Sequence, residues 1–326
     1  MTESESDGLI LASILDGRRG GRDARWADID GWRPGTGTLW VHLDRTGVRS
    51  EAWLRRSSGL EAWICDALLA EETRPRVTEH KDGLLVILRG VNLNPAADPE
   101  DMVSVRAWVE RDRVVTVRKR HLMAVEDIRQ SLEGGSGPKT SLDLLVMLSD
   151  RLAERMGPII SALDEAVDQC EDDVITAESH ALRSQLASLR RQAIALRRHI
   201  APQRDALSRL QTVTVSWIDD PHRVRLREAY DRITRYVEDL DSARERATVT
   251  QEELAGRLAE QMNRTMYTLS IVATIFLPLS LFTGLLGINV GGIPGTDYPW
   301  AFAVVTVGLV VAGLIEVYYF RRRRLL

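Results

Sequence analysis

Apolar residues change their spacing twice along the chain, and each change marks a different kind of element. Up to residue 138 they fall in short runs bounded by turn residues. Thr38 to Leu43 has the apolar density of a strand, and Leu9 to Leu15, Arg76 to His80, Leu84 to Leu93, Met102 to Glu110 and Val114 to Lys119 are further strand candidates. Asp-Gly, Asn-Pro and Arg-Asp turns separate the later ones. Leu54, Leu60, Trp63, Ile64 and Leu68 recur at helical spacing and predict one helix from Ala52 to Leu69. Gly17 to Gly37, rich in Gly, Arg and Asp, reads as loop with short structure, and Val125 to Glu133 as a short helix. Gly134 to Pro138 is a linker, so residues 1–138 are expected to form one α/β domain.

Beyond the linker the period is helical throughout. Ser141 to about Ile175 and His180 to about Leu210 predict an antiparallel helical pair over residues 139–218. The first helix carries Asp164, Glu165, Asp168, Glu171, Asp172 and Asp173, the second Arg183, Arg190, Arg191, Arg197, Arg198, Arg204 and Arg209. Asp219 or Asp220 before Pro221 is a favourable helix start. From there Leu226, Tyr230, Ile233, Val237, Leu240, Ala247, Leu254 and Leu258 hold a stripe along a stalk over residues 219–265 that runs on without a strong break to Gly287. One helix of roughly 70 residues is about 105 Å long. Alone it leaves its stripe uncovered, which predicts that several copies of the chain cover it together.

The second change comes at Met266. No Asp, Glu, Lys or Arg occurs from Thr265 to Thr296. Two apolar stretches, residues 266–289 and 300–320, are each long enough to cross about 30 Å of hydrocarbon. Lipid supplies no partner for bare backbone, so both are expected to be helices of one hairpin joined by residues 290–299. Arg264 and Arg321 to Arg324 flank the outer ends of the pair, while the turn has no Lys or Arg and one acid, Asp297. The positive-inside rule then places both termini, including the basic tail 321–326, in the cytoplasm.

The turn carries the strongest motif. Gly287-Ile288-Asn289 closes the first span, and Val290-Gly291-Gly292-Ile293-Pro294-Gly295 follows. A Gly-x-Asn tripeptide at the outer end of the penultimate span of a C-terminal hairpin resembles the CorA superfamily of divalent-cation transporters, where Gly-Met-Asn stands at this place. Isoleucine in the middle and a glycine-rich loop resemble its zinc-transporting ZntB branch. Trp40-Val41-His42-Leu43-Asp44, Thr73-Arg74-Pro75-Arg76 and Leu88-Arg89-Gly90-Val91-Asn92-Leu93-Asn94 are also similar to that branch. The resemblance implies a funnel-shaped homopentamer in the bacterial inner membrane. In it an α+β cytoplasmic domain precedes a long stalk helix continuous with the first span, and the C-terminal hairpin supplies the pore. The cargo it implies is Zn2+ or a similar divalent cation, with no cofactor and no enzymatic step.

Composition narrows the partners. A net charge of -4 gives no case for nucleic acid. Cys65 and Cys170 belong to no CxxC pair, and the six histidines show no ligand spacing, so no tight zinc cage is expected. The acidic N-terminus lacks the pattern of a signal peptide.

Stepping along the first span at three and four residues gives Asn263, Met266, Ser270, Ala273, Leu277, Ser280 and Gly284 on one face. Small, hydroxyl and amide groups suit either a pore or tight helix packing; the Gly-x-Asn loop favours the pore. Ile271, Ile275, Phe276, Leu279 and Phe282 on the other face suit lipid or the second span. Asn289 is expected to present amide oxygens to a hydrated cation, or to cap the helix, or both. Asp297 is the candidate outer-mouth acid. Glu316, inside the second span but close to Arg321, is expected to reach toward an arginine. Asp164, Asp168 and Asp172 are candidate ligands of a cytoplasmic sensor, with ion pairing to the arginine-rich helix as the favoured alternative. Two other readings remain open: a magnesium or cobalt channel of the CorA type, and a membrane-anchored sensor or scaffold that does not conduct.

Overall fold

The structure, a computed structural model, describes residues 7–176, 180–287, 295 and 298–322. The chain divides into two compact units, Met1–Gln251 and Glu252–Leu326.

The first unit is built on a seven-stranded sheet. Its strands are β1 (Leu9–Leu15), β2 (Gly21–Asp23), β3 (Thr38–Asp44), β4 (Arg76–His80), β5 (Gly83–Gly90), β6 (Val103–Val109) and β7 (Arg113–Arg118), in the order β2-β1-β3-β7-β6-β5-β4. Only β3 and β7 run parallel, with Val41 opposite Val115, and every other pair is antiparallel. An unbroken apolar run needs cover on both faces, and β5 is such a strand, buried along nearly its whole length. On one face lie α1 (Trp26–Gly31), α2 (Val48–Arg56) and α3 (Ala62–Leu69), whose Trp26, Ile29, Trp53, Leu54, Ile64 and Leu68 join Leu39, Val41, Leu85, Trp108 and Val115 in one core. On the other, α5 (Ser141–Thr176) and α6 (His180–Thr212) cross β5, after the shorter α4 (Met123–Glu133). Gly90 permits that approach, because a Cβ there would sit 2.7 Å from Leu152 of α5.

The helix predicted from Ala52 to Leu69 is two helices. Gly59, with φ of +71°, takes the left-handed conformation that ends a helix most cheaply. The amides of Ser57 and Ser58 both donate to Trp53 O at 2.9 Å, closing off α2 before α3 begins. Periodicity carries across such a break because the apolar positions on either side still face the same core.

Where His42 faces the buried interior of the sheet, Nδ1 lies 2.8 Å from Thr116 Oγ1 and Nε2 has no partner among the described residues. Burial, with the Arg118 charge next, pushes its pKa down to about 3. A histidine depressed in the folded state leaves the unfolded chain binding the extra proton, so stability is present above the unfolded value near 6.5 and is lost as pH falls toward 3. Acid unfolding of the wild type is expected to steepen through that window by up to roughly 1.4 kcal/mol per pH unit. His42→Leu should flatten it, as read by urea melts at successive pH values; equal slopes in both proteins would refute this.

The third helix of the layer, α7 (Asp220–Leu286), begins in the first unit and ends in the second. Its stripe is not left for other copies of the chain. Leu226, Ile233, Val237, Leu240 and Ala247 are already buried within one protomer. The expectation that the stripe is left uncovered is therefore overturned, and the stripe itself gives no ground for an oligomer. The reason is that α5 and α6 supply apolar stripes of their own, with Leu163, Val167, Cys170, Leu186 and Leu196 also buried. A Cβ on Gly157 of α5 would stand 2.8 Å from the Tyr236 hydroxyl, which shows how closely α5 and α7 approach.

The second unit contains the end of α7 and α8 (Ala301–Arg322), each long and apolar enough to cross a membrane. Ile271, Ile275, Pro278 and Leu279 of α7 are half-buried, as are Val305, Leu309, Gly313 and Glu316 of α8, and the remaining side chains of this pair are mostly exposed. Gly313 marks the contact, since a Cβ there would lie 3.9 Å from Leu279 Cδ1.

Candidate functional site

Helical geometry puts the candidate residues of α7 on the face that α8 does not cover. Asn263, Met266, Ser270, Ala273, Leu277, Ser280 and Gly284 are all exposed, whereas Ile271, Ile275 and Leu279 turn inward. Of the face expected to meet lipid or the second span, Phe276 and Phe282 are exposed.

The hydroxyls along this helix have a common arrangement. Ser270 donates to Met266 O at 2.9 Å, Thr274 to Ser270 O at 2.8 Å and Thr283 to Leu279 O at 3.0 Å. Each spends its hydrogen on the preceding turn of its own helix. What it offers outward is oxygen lone pairs, the chemistry a cation or its hydration shell accepts. Among the described residues nothing lies within 4 Å of a Cβ built on Gly284, so the helix is open to them there. Gly287 follows the end of α7, its amide donating to Thr283 O at 2.9 Å. Ile288, Asn289 and Asp297 lie outside the described residues.

Glu316 sits on the covered side of α8. Its Oε2 is buried and has no hydrogen-bond partner among the described residues, Arg321 and Arg322 included.

In the first unit, the acidic run meets an arginine that sequence reasoning passed over. Arg246 of α7 bonds Asp164 Oδ1 at 3.0 Å, Glu171 Oε1 at 3.0 Å and Oε2 at 2.9 Å, and also Asp168. The predicted partner helix was α6, yet Arg183, Arg190, Arg191 and Arg198 point to solvent. Arg246 stands one position before Ala247 of the buried stripe, which brings it beside α5; that adjacency was the available signal. Asp172 remains exposed. Among the described residues no group of three or more His, Cys, Asp or Glu side chains is arranged to hold a metal ion. His222, one of the six histidines without ligand spacing, has Nε2 3.0 Å from Asp143 Oδ1 and Nδ1 in contact with Asp219, tying the starts of α5 and α7 together.

Comparison with known proteins extends over nearly the whole chain. A family model described as CorA-like Mg2+ transporter protein matches residues 35–322. A relative from Pseudomonas aeruginosa, the divalent cation transporter CmaX, is 43% identical over 323 residues, covering 97% of this chain and 96% of its own. The zinc transport protein ZntB of Pectobacterium carotovorum is 36% identical over 310 residues, 95% of this chain and 93% of its own. Among solved structures, full-length CmaX superposes with a TM-score of 0.85 at 42% identity, with 98% of each chain covered. The CorA magnesium transporter from Methanocaldococcus jannaschii gives 0.81 at 18% identity over 96% of this chain and 98% of its own, a likeness of fold.

Proposed function

This chain belongs to the CorA-like Mg2+ transporter family, a family of divalent-cation transporters and not enzymes, and from that premise we propose that its cargo is zinc. Five copies surround a central pore lined by the membrane part of α7. Gly287, Ile288 and Asn289 form the outer mouth, and both termini stay on the cytoplasmic side of the inner membrane. One observation carries the pore: the face from Asn263 to Gly284 is free of α8, and Ser270 on it presents oxygen lone pairs, while the adjacent face is partly covered. Of the cytoplasmic candidates, Asp164 and Asp168 are neutralised by Arg246, which favours ion pairing over a metal sensor.

A second reading is supported by the relatives themselves. The Pseudomonas aeruginosa protein is named for divalent cations without zinc, and the family description names Mg2+. Flux into proteoliposomes, measured for Zn2+, Mg2+ and Co2+ under controlled gradients, separates the two. Zinc flux well above the others is the expected result; magnesium flux without zinc flux would reject the zinc cargo.

Asp297 concentrates cations near the mouth by its charge and does not ligate them tightly. Asp297→Asn is expected to slow uptake several-fold at low ionic strength and little at high salt, where the Debye length shrinks to about 3 Å at 1 M. A loss of the same size at every salt concentration would argue against steering.

A further inference from the structure

The two helices that follow α5 carry opposite charge on surfaces that one protomer leaves unused. On α6, Arg190, Arg191, Arg198 and Arg209 are exposed, and Ile194 among them is 46% exposed. Among the described residues α6 makes two ion pairs, Arg197 with Asp241 and Arg204 with Asp205, and those four arginines make none. On α7, Glu228, Asp231, Glu238, Asp239 and Glu245 are exposed. Within residues 220–251 of that helix the acid that pairs among the described residues is Asp241, with Arg197 and Arg244. Glu228, Asp231, Glu238 and Glu245 recur at three and seven residues, which puts them on one side of the helix. Arg227 and Arg235 are exposed on that side too and leave it acidic on balance. Crowding of like charge shows at Asp239, whose carboxyl burial and then the charges of Asp164 and Glu238 hold above its ordinary range.

The two surfaces are in register. α6 runs antiparallel to α7, and two contacts fix their levels. Arg223 Nη1 of α7 donates to Gln211 O of α6 at 2.5 Å, and Arg197 Nε of α6 lies 2.6 Å from Asp241 Oδ1. Each step back along α6 is therefore a step forward along α7, of about 1.5 Å per residue. To within about one helical turn, Arg209 stands level with Glu228, Arg198 with Glu238 and Asp239, and Arg191 with Glu245. Ile194 stands level with Ser242, an exposed small residue among the acids. A ring closed by rotation about an axis along these helices leaves every residue at its own height. Levels read within one protomer are then the levels at which neighbouring copies meet. Opposite signs at three matched levels favour a second copy of this chain as the partner.

We propose that the arginine side of α6 docks on the acidic side of α7 of the next copy, head to tail. The contact joins two different surfaces, so it repeats around a ring until the ring closes. Isolated surface ion pairs are weak, and specificity here comes from several of them in register around Ile194. The inference rests on the ring of copies proposed above and is independent of the cation carried.

Native mass spectrometry of the full-length protein in detergent asks first whether the ring exists; a monomer overturns that reading and this one together. Given a ring, Arg191→Glu with Arg198→Glu should raise the concentration at which half of it dissociates at least tenfold at low salt. Adding Glu238→Arg and Glu245→Arg to the same chain should restore assembly, a rescue that a misfolded helix does not give. Cysteine pairing reads the register directly and stands even if the reversed chain fails to fold. Ile194→Cys with Ser242→Cys in one chain should give a ladder of oxidised oligomers in denaturing gels. The wild type, whose Cys65 and Cys170 are buried, is the control and should give none. An intact ring that tolerates the reversed arginines, is not rescued by the swapped acids, or yields no ladder overturns this contact and leaves the ring standing.

Discussion

Replacing Asn289 by leucine is expected to stop cation flux while leaving the assembly intact. Asn289 follows the glycine that ends α7 and an isoleucine, at the junction between the first span and the polar turn. In the pore proposed here, five amides meet at one level and accept from the waters of a hydrated divalent ion. Such ions shed water reluctantly, so a polar ring that engages the hydration shell lowers the barrier to entry. Leucine makes the ring an apolar constriction. Passing an ion through it without polar partners costs several kcal/mol, and about 3 kcal/mol already corresponds to roughly a hundredfold in rate. Folding should survive, because in the sequence the position leads straight into a polar, glycine-rich turn. Proteoliposome flux and size-exclusion chromatography of the same preparation decide the matter. Asn289→Asp separates pore from cap, since it keeps an oxygen acceptor and adds charge. If both variants assemble normally and still transport at the wild-type rate, the residue only caps the helix and the mouth lies elsewhere.

Leu240→Asp is expected to destabilise the protomer itself, not only its association with other copies. Leu240 is 0% exposed and belongs to the stripe of α7 that lies in the layer shared with α5 and α6. An isolated carboxylate at such a site has no cation built to meet it. Arg246, two turns away, is engaged by Asp164, Asp168 and Glu171. Nearby Asp239 already has its pKa raised, first by burial and then by the charges of Asp164 and Glu238, so a further acid adds repulsion. The loss of apolar burial and the cost of an unpaired buried charge together come to about 3–5 kcal/mol. Circular dichroism melts of the full-length protein in detergent should show the helical transition falling by many degrees. A variant that melts like the wild type but runs as a smaller species would mean the stripe is an interface between copies after all.

Several elements follow from local pattern alone. The charge-free stretch from Thr265 to Thr296 and the arginines around it are enough to predict two membrane helices, because hydrocarbon forbids unpaired backbone whatever the rest of the chain does. The run at β5 and the turns around it predict strands, since side-chain alternation is a property of neighbouring residues. The face of α7 from Asn263 to Gly284 is legible for the same reason: a repeat of 3.6 residues is fixed within each turn. Other features needed residues distant in sequence. Gly59 splits a continuous helical pattern because its left-handed backbone meets a core that both halves share. The stripe of α7 has the same period whether it faces another copy or α5 and α6, and only packing shows that its own chain covers it. Arg246 meets acids more than seventy residues away, and Arg106 meets the end of a helix thirty-six residues back. Periodicity thus determined which residues share a face. Which partner each face meets is a matter of long-range complementarity in shape and charge, and the tertiary structure decided it.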